Sequence, residues 1–122
     1  MNFLVIDDSG VMRRIHKNIL LEHKIDESQI FEAENGEVAV KIAEKEDIGL
    51  FLLDWNMPKL DGLKFVQIVR SIKKYEDTPI IMITSEAAKY NVVDAISAGV
   101  TNYVVKPIKG DILWEKISRY VI

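Results

Sequence analysis

The feature that most constrains the fold is an alternation of five short apolar runs with longer amphipathic stretches. The runs are Phe3-Leu4-Val5-Ile6, Ile30-Phe31, Leu50-Phe51-Leu52-Leu53, Ile80-Ile81-Met82-Ile83 and Tyr103-Val104-Val105. Short runs that stay apolar without alternating fit strands covered on both faces of a parallel sheet, whereas the weaker Ile30-Phe31-Glu32 suits an edge. From Met12 through Ile15, Ile19 and Leu20 the apolar spacing is three or four, with Arg13, Arg14, Lys17 and Asn18 between, so one helix face packs and the other is wet. Similar spacing predicts helices over Glu37 to Glu46, Gly62 to Lys73, Ala87 to Ala98 and Gly110 to Tyr120. The punctuation agrees. Asn35-Gly36 opens the second helix, Asp61 can cap the third, Thr84 to Glu86 can cap the fourth, and Gly99 fits a left-handed position at its end. The pattern is (βα)5, an α/β three-layer sandwich with a five-stranded parallel sheet and right-handed crossovers.

Composition narrows the function classes. With no Cys among 122 residues, disulfides, thiolate metal sites and cysteine nucleophiles are excluded. Sixteen Lys and Arg against nineteen Asp and Glu give a net charge of −3. These charges are interspersed, so nucleic acid is not an expected partner. The longest apolar runs fall far short of the roughly twenty residues of a spanning helix, and Asp7 interrupts the first one too early for a signal peptide. A cytoplasmic protein that does not engage a membrane is expected.

Chemistry concentrates at the strand ends: Asp7 and Asp8 after the first, Asp54 after the third, Thr84 after the fourth and Lys106 after the fifth. In an open α/β sheet these ends share one edge, where ligands bind. Three carboxylates gathered there repel one another by roughly 4 kcal/mol per pair at about 4 Å and an effective dielectric near 20, so the cluster calls for a cation. Oxygen donors without His or Cys favour a hard ion such as Mg²⁺. Lys106 adds a positive charge and Thr84 a hydroxyl. A carboxylate nucleophile, a divalent ion, an ammonium and a hydroxyl around one point are what an aspartyl phosphate requires. Helix capping alone accounts for Ser9 or Thr84, but not for paired acids after an apolar strand or for Lys106 before Pro107.

Asp7-Asp8-Ser9, Leu53-Asp54-Trp55-Asn56-Met57-Pro58-Lys59-Leu60-Asp61-Gly62, Thr84-Ser85-Glu86 and Tyr103-Val104-Val105-Lys106-Pro107 together resemble the signature of response-regulator receiver domains, and most closely the chemotaxis type. The resemblance covers essentially the whole chain, so residues 1–122 are expected to form a single receiver domain. It implies the flavodoxin-like strand order 2-1-3-4-5. It also implies that Asp54 accepts the phosphoryl group, Asp8 binds Mg²⁺ directly, Asp7 binds it through water and the Asn56 carbonyl completes the metal site. Lys106 would pair with Asp54 and then with the phosphoryl group, which Thr84 would also bond. Tyr103 would turn inward with Thr84, carrying the signal to the face formed by the fourth helix, fifth strand and fifth helix. The same resemblance implies that Asn56 and Glu86 influence the rate of dephosphorylation and that the Lys106-Pro107 bond is cis.

The partners implied are a sensor histidine kinase as phosphoryl donor and a flagellar motor switch protein as target. With no further module after Ile122, the expectation is a stand-alone, monomeric regulator whose output is binding and which is not an enzyme. A phosphorelay intermediate passing the group to a second histidine protein is the alternative. A flavodoxin-type FMN carrier would share the fold, but Asp7-Asp8 would repel its phosphate. Val92, Tyr103 and Trp114 are expected to form an apolar partner-binding patch, and Trp55 to stand at the mouth of the site. His16 and His23 read as solvent-facing or boundary residues of the first helix.

Overall fold

The structure, a computed structural model, describes residues 1–55, 62–85 and 89–121. Its strands are β1 (Asn2–Ile6), β2 (Ile30–Ala33), β3 (Ile48–Asp54), β4 (Ile80–Thr84) and β5 (Asn102–Val105). The helices between and after them are α1 (Gly10–Glu22), α2 (Gly36–Lys45), α3 (Gly62–Ser71), α4 (Lys89–Ala98) and α5 (Gly110–Ser118). All strand pairs are parallel, in the order β2-β1-β3-β4-β5. The chain steps outward from β1 to β2 and then returns to the other side of β1. The order therefore reverses between β1 and β3, where the carboxyl ends of neighbouring strands leave a crevice.

Alternation along each strand sorts the core into two layers. Leu4, Ile6, Phe51, Leu53, Ile80 and Met82 face α2, α3 and α4, where Ala39, Phe65, Val66 and Ala95 meet them. Phe3, Val5, Leu50, Leu52, Ile81 and Val104 face α1 and α5, meeting Ile19, Leu20, Leu113 and Ile117. Each such large apolar side chain contributes about 1.5–3 kcal/mol on full burial.

Local signals explain the helix ends. Ser9 Oγ accepts the Met12 N–H at 3.2 Å and Asn35 Oδ1 accepts the Val38 N–H at 2.9 Å, each satisfying a free amide of a first turn. Gly99 takes φ 118° at the end of α4, a region that favours glycine. Asp61 and Glu86 lie outside the described residues.

Several expectations are corrected. Ile15, assigned to the packing face of α1, is 40% exposed, whereas His16 is 1% exposed. The phase of the helix explains both: His16, Ile19 and Leu20 lie three and four residues apart and share the inward stripe. α3 stops at Ser71, since Ile72 takes an extended ψ of 117° before a single 3-10 turn at Lys73–Tyr75. α5 ends at Ser118, two residues early. A 3-10 turn at Glu27–Gln29, closed by an Asp26 capping box, had no counterpart in the periodicity. Among the described residues, no helix is long and apolar enough to cross a membrane.

Candidate functional site

β1 and β3 deliver Asp7, Asp8 and Asp54 to the crevice. One carboxylate oxygen from each lies within 4.8 Å of the others. Asp7 and Asp54 are buried and Asp8 is exposed, so the cluster has a dry floor and one wet wall. Asp7 Oδ1 accepts the Ser9 N–H at 2.9 Å, while Asp7 Oδ2 is buried without a hydrogen bond. Loss of water raises the Asp7 carboxyl to about 6; the neighbouring Asp54 charge pushes the same way, and the Ser9 N–H and the Lys106 charge oppose it. The oxygen-only donor set, close spacing and unpaired buried oxygen fit a hard divalent ion such as Mg²⁺.

Lys106 comes from the end of β5 and donates from Nζ to Asp54 Oδ1 at 3.3 Å. Its backbone N–H donates to the Thr84 carbonyl at 2.8 Å, tying the ends of β4 and β5 together. The Lys106-Pro107 peptide bond is cis, as expected. Thr84 Oγ1 is buried and makes no hydrogen bond, so the hydroxyl is not serving as a helix cap. Topology thus brings Asp7, Asp8, Asp54, Thr84 and Lys106 to one edge. Asn56, the metal-site carbonyl, and Glu86 lie outside the described residues.

The spacing in α1 places Arg13 on its wet face. Instead its Nη1 donates to the Asp7 carbonyl at 2.7 Å and its Nε to Glu32 at 3.2 Å, bracing the floor from the first turns of the helix. Its place six residues after Asp7, one turn into α1, was the available signal. Trp55 is buried rather than standing at the site mouth, and a β-carbon on Gly62 would come within 2.6 Å of its ring. Val92 packs on the layer containing α3, while Trp114 packs on the opposite layer with its ring stacked on His23, centroids 4.3 Å apart. These two residues therefore lie on opposite faces of the sheet. Tyr103 is 36% exposed on the edge strand.

Residues 3–118 match the family described as the response regulator receiver domain. A chemotaxis protein CheY homolog of Campylobacter jejuni is 48% identical over 119 residues, covering 97% of this chain and 90% of that protein. The solved chemotaxis response regulator CheY4 of Vibrio cholerae has a TM-score of 0.90 at 28% identity, over 98% of both chains. The receiver domain of a Pseudomonas aeruginosa sensor histidine kinase, solved with a magnesium ion in its active-site cleft, has a TM-score of 0.87 at 24% identity over 98% of this chain and 95% of that one.

Proposed function

Because the chain belongs to the response regulator receiver domain family, as a receiver of the chemotaxis type, we propose that it takes a phosphoryl group on Asp54 from the phosphohistidine of a sensor kinase and passes the signal on by binding. The observation that carries this reading is the cluster of Asp7, Asp8 and Asp54 with the Lys106 ammonium 3.3 Å from Asp54 Oδ1. An Asp54 oxygen attacks phosphorus, the P–N bond breaks, and the kinase imidazole leaves with the electron pair. Lys106 orients Asp54 beforehand and meets a phosphoryl oxygen afterwards; the unpartnered Thr84 hydroxyl has a free donor for another. Asp7 and Asp8 would hold Mg²⁺, with the carbonyl of Asn56 assigned by resemblance alone. When bound, the ion neutralises negative charge on the phosphoryl oxygens. Attack of water on phosphorus later returns the carboxylate and releases inorganic phosphate, at a rate for which Asn56 and Glu86 are proposed as modulators.

The output follows from the same edge. Thr84 and Tyr103 share a face of the sheet, and Val93, Ile96, Tyr103, Val105 and Ile112 are exposed on α4, β5 and α5. This face is the proposed docking surface for a flagellar motor switch protein. Residues 1–122 are read as one cytoplasmic, monomeric receiver, a regulator whose phosphoryl source is the kinase.

The test is intact mass after incubation with acetyl phosphate and Mg²⁺. One phosphoryl adduct that requires Mg²⁺ and is missing in Asp54→Ala is expected. An adduct that survives in Asp54→Ala would overturn the assignment.

A further inference from the structure

Tyr103 is held by neighbours that neither periodicity nor motif singles out. Along β5, Tyr103 and Val105 project to the face shared with Met82 and Thr84, their partners in register. The buried Thr84 hydroxyl on that face has no hydrogen bond, yet the Tyr103 ring stays outside at 36% exposure. Lys116, half-buried on α5, reaches round the open edge of the sheet and sets its Nζ 5.1 Å from the Tyr103 ring centroid. The same ammonium lies 3.3 Å from Asn102 Oδ1, and that oxygen also accepts the Tyr103 backbone N–H at 2.8 Å. Lys116 and Tyr103 line one shallow groove of about 240 Å³. The negative face of an aromatic ring attracts an ammonium, and the structure shows this contact with the ring out.

We propose that Lys116, anchored by Asn102, is a latch that holds the Tyr103 ring at the surface and so opposes the inward state; the inference rests on Tyr103 reporting the state of Asp54. Lys116 is a positioning residue, acting on the switch through Tyr103 and touching none of the reacting atoms. A contact between an ammonium and an exposed ring shifts an equilibrium by about two- to fivefold. Such a latch biases the resting population without blocking the change, because a phosphoryl group that prefers the inward state by more than this overcomes it.

The test is NMR of ring-¹³C-tyrosine chains, with the Tyr103 signal assigned by its loss in Tyr103→Phe. Wild type, Lys116→Met and Lys116→Arg are compared with and without Mg²⁺ and beryllofluoride as phosphoryl mimic. Lys116→Met keeps an apolar stem and drops the charge; Lys116→Arg keeps a cation over the ring. Without the mimic, Lys116→Met is expected to raise the inward-to-outward ratio about two- to fivefold while Lys116→Arg stays near wild type. The signal of Tyr75, buried elsewhere in the core, should not change in either variant. If the mimic turns Tyr103 inward but Lys116→Met leaves the resting ratio unchanged, or Lys116→Arg shifts it equally, the latch is overturned and the switch stands. If the mimic leaves Tyr103 in place in wild type, the switch reading falls and takes the latch with it.

Discussion

The two edges of the sheet treat buried polar groups in opposite ways. At the amino edge, the Tyr75 hydroxyl accepts the Ile48 N–H at 3.3 Å and lies 2.5 and 2.6 Å from the Ala43 and Glu46 carbonyl oxygens. Nearby, Arg70 donates to the Gly99 carbonyl at 3.0 and 2.7 Å and to the Tyr75 carbonyl at 2.6 Å, joining α3 to the turn before β5. At the carboxyl edge, Asp7 Oδ2 and Thr84 Oγ1 are buried with no hydrogen bond, beside carboxylates that repel one another. An unmade buried hydrogen bond costs about 1–3 kcal/mol. One edge therefore closes the fold, and the other gives up stability to keep donors and acceptors available for a ligand.

The largest expected effect separates the edges completely. Asp54→Ala should abolish the phosphoryl adduct in intact-mass measurements, yet without Mg²⁺ it should melt no lower than wild type, since a buried negative charge has been removed. A fall of several degrees in Tm would show that the acidic edge also holds the fold together. Arg70→Ala is the converse: it should cost about 2–4 kcal/mol in urea unfolding by stripping donors from partly buried carbonyls. Adduct formation in the folded variant should match wild type, and a matching loss would erase the distinction.

His16 sharpens the comparison because it lies between the edges, on the inner face of α1. Burial lowers it from 6.5 to about 4, with the Lys106 charge acting the same way. The fold therefore holds the neutral ring, while the unfolded chain takes up a proton below about 6.5. The resulting stability is fully present above that pH and is lost as pH falls toward 4, by up to about 3 kcal/mol. His16→Val should flatten the dependence, as measured by urea titrations at successive pH values; an unchanged slope would place its cause elsewhere. The smallest effect is expected for Thr84→Val, within about 1 kcal/mol of wild type or slightly more stable, because the lost hydroxyl had no partner. Its influence should appear in the Tyr103 NMR signal under the phosphoryl mimic, where a wild-type response would remove Thr84 from the switch.

Much of this was legible in the sequence. Apolar runs place all five strands, and the topology they imply brings Asp7, Asp8, Asp54, Thr84 and Lys106 to one edge. What escaped was helix phase and cross-layer contact. Ile15 and His16 are adjacent, and hydrophobicity favoured the wrong one for the interior, since a core-facing histidine looks polar. Trp114 looks like a patch residue because spacing within α5 cannot show that His23 on α1 stacks against its ring. Spacing makes Arg13 an ordinary charge on the wet face of α1, and no motif or periodicity points to Lys116; their partners, the Asp7 carbonyl and the Tyr103 ring, belong to other elements. Pattern locates a side chain on its own helix, whereas only packing reveals which neighbour it meets.

The ion pair between Lys106 and Asp54 joins residues 52 positions apart, and Asp7 comes from the first strand. No fragment that lacks the end of β1 or the end of β5 can assemble these groups, and closing such long loops is unfavourable until the intervening strands have paired. A chain still emerging from the ribosome, clipped between β3 and β5, or with β5 and α5 locally unfolded has Asp54 without its lysine. On the role proposed for Asp54, such a chain should be a poor phosphoryl acceptor, so a damaged molecule would fail silent and signalling competence would double as a check on the integrity of the molecule that carries it.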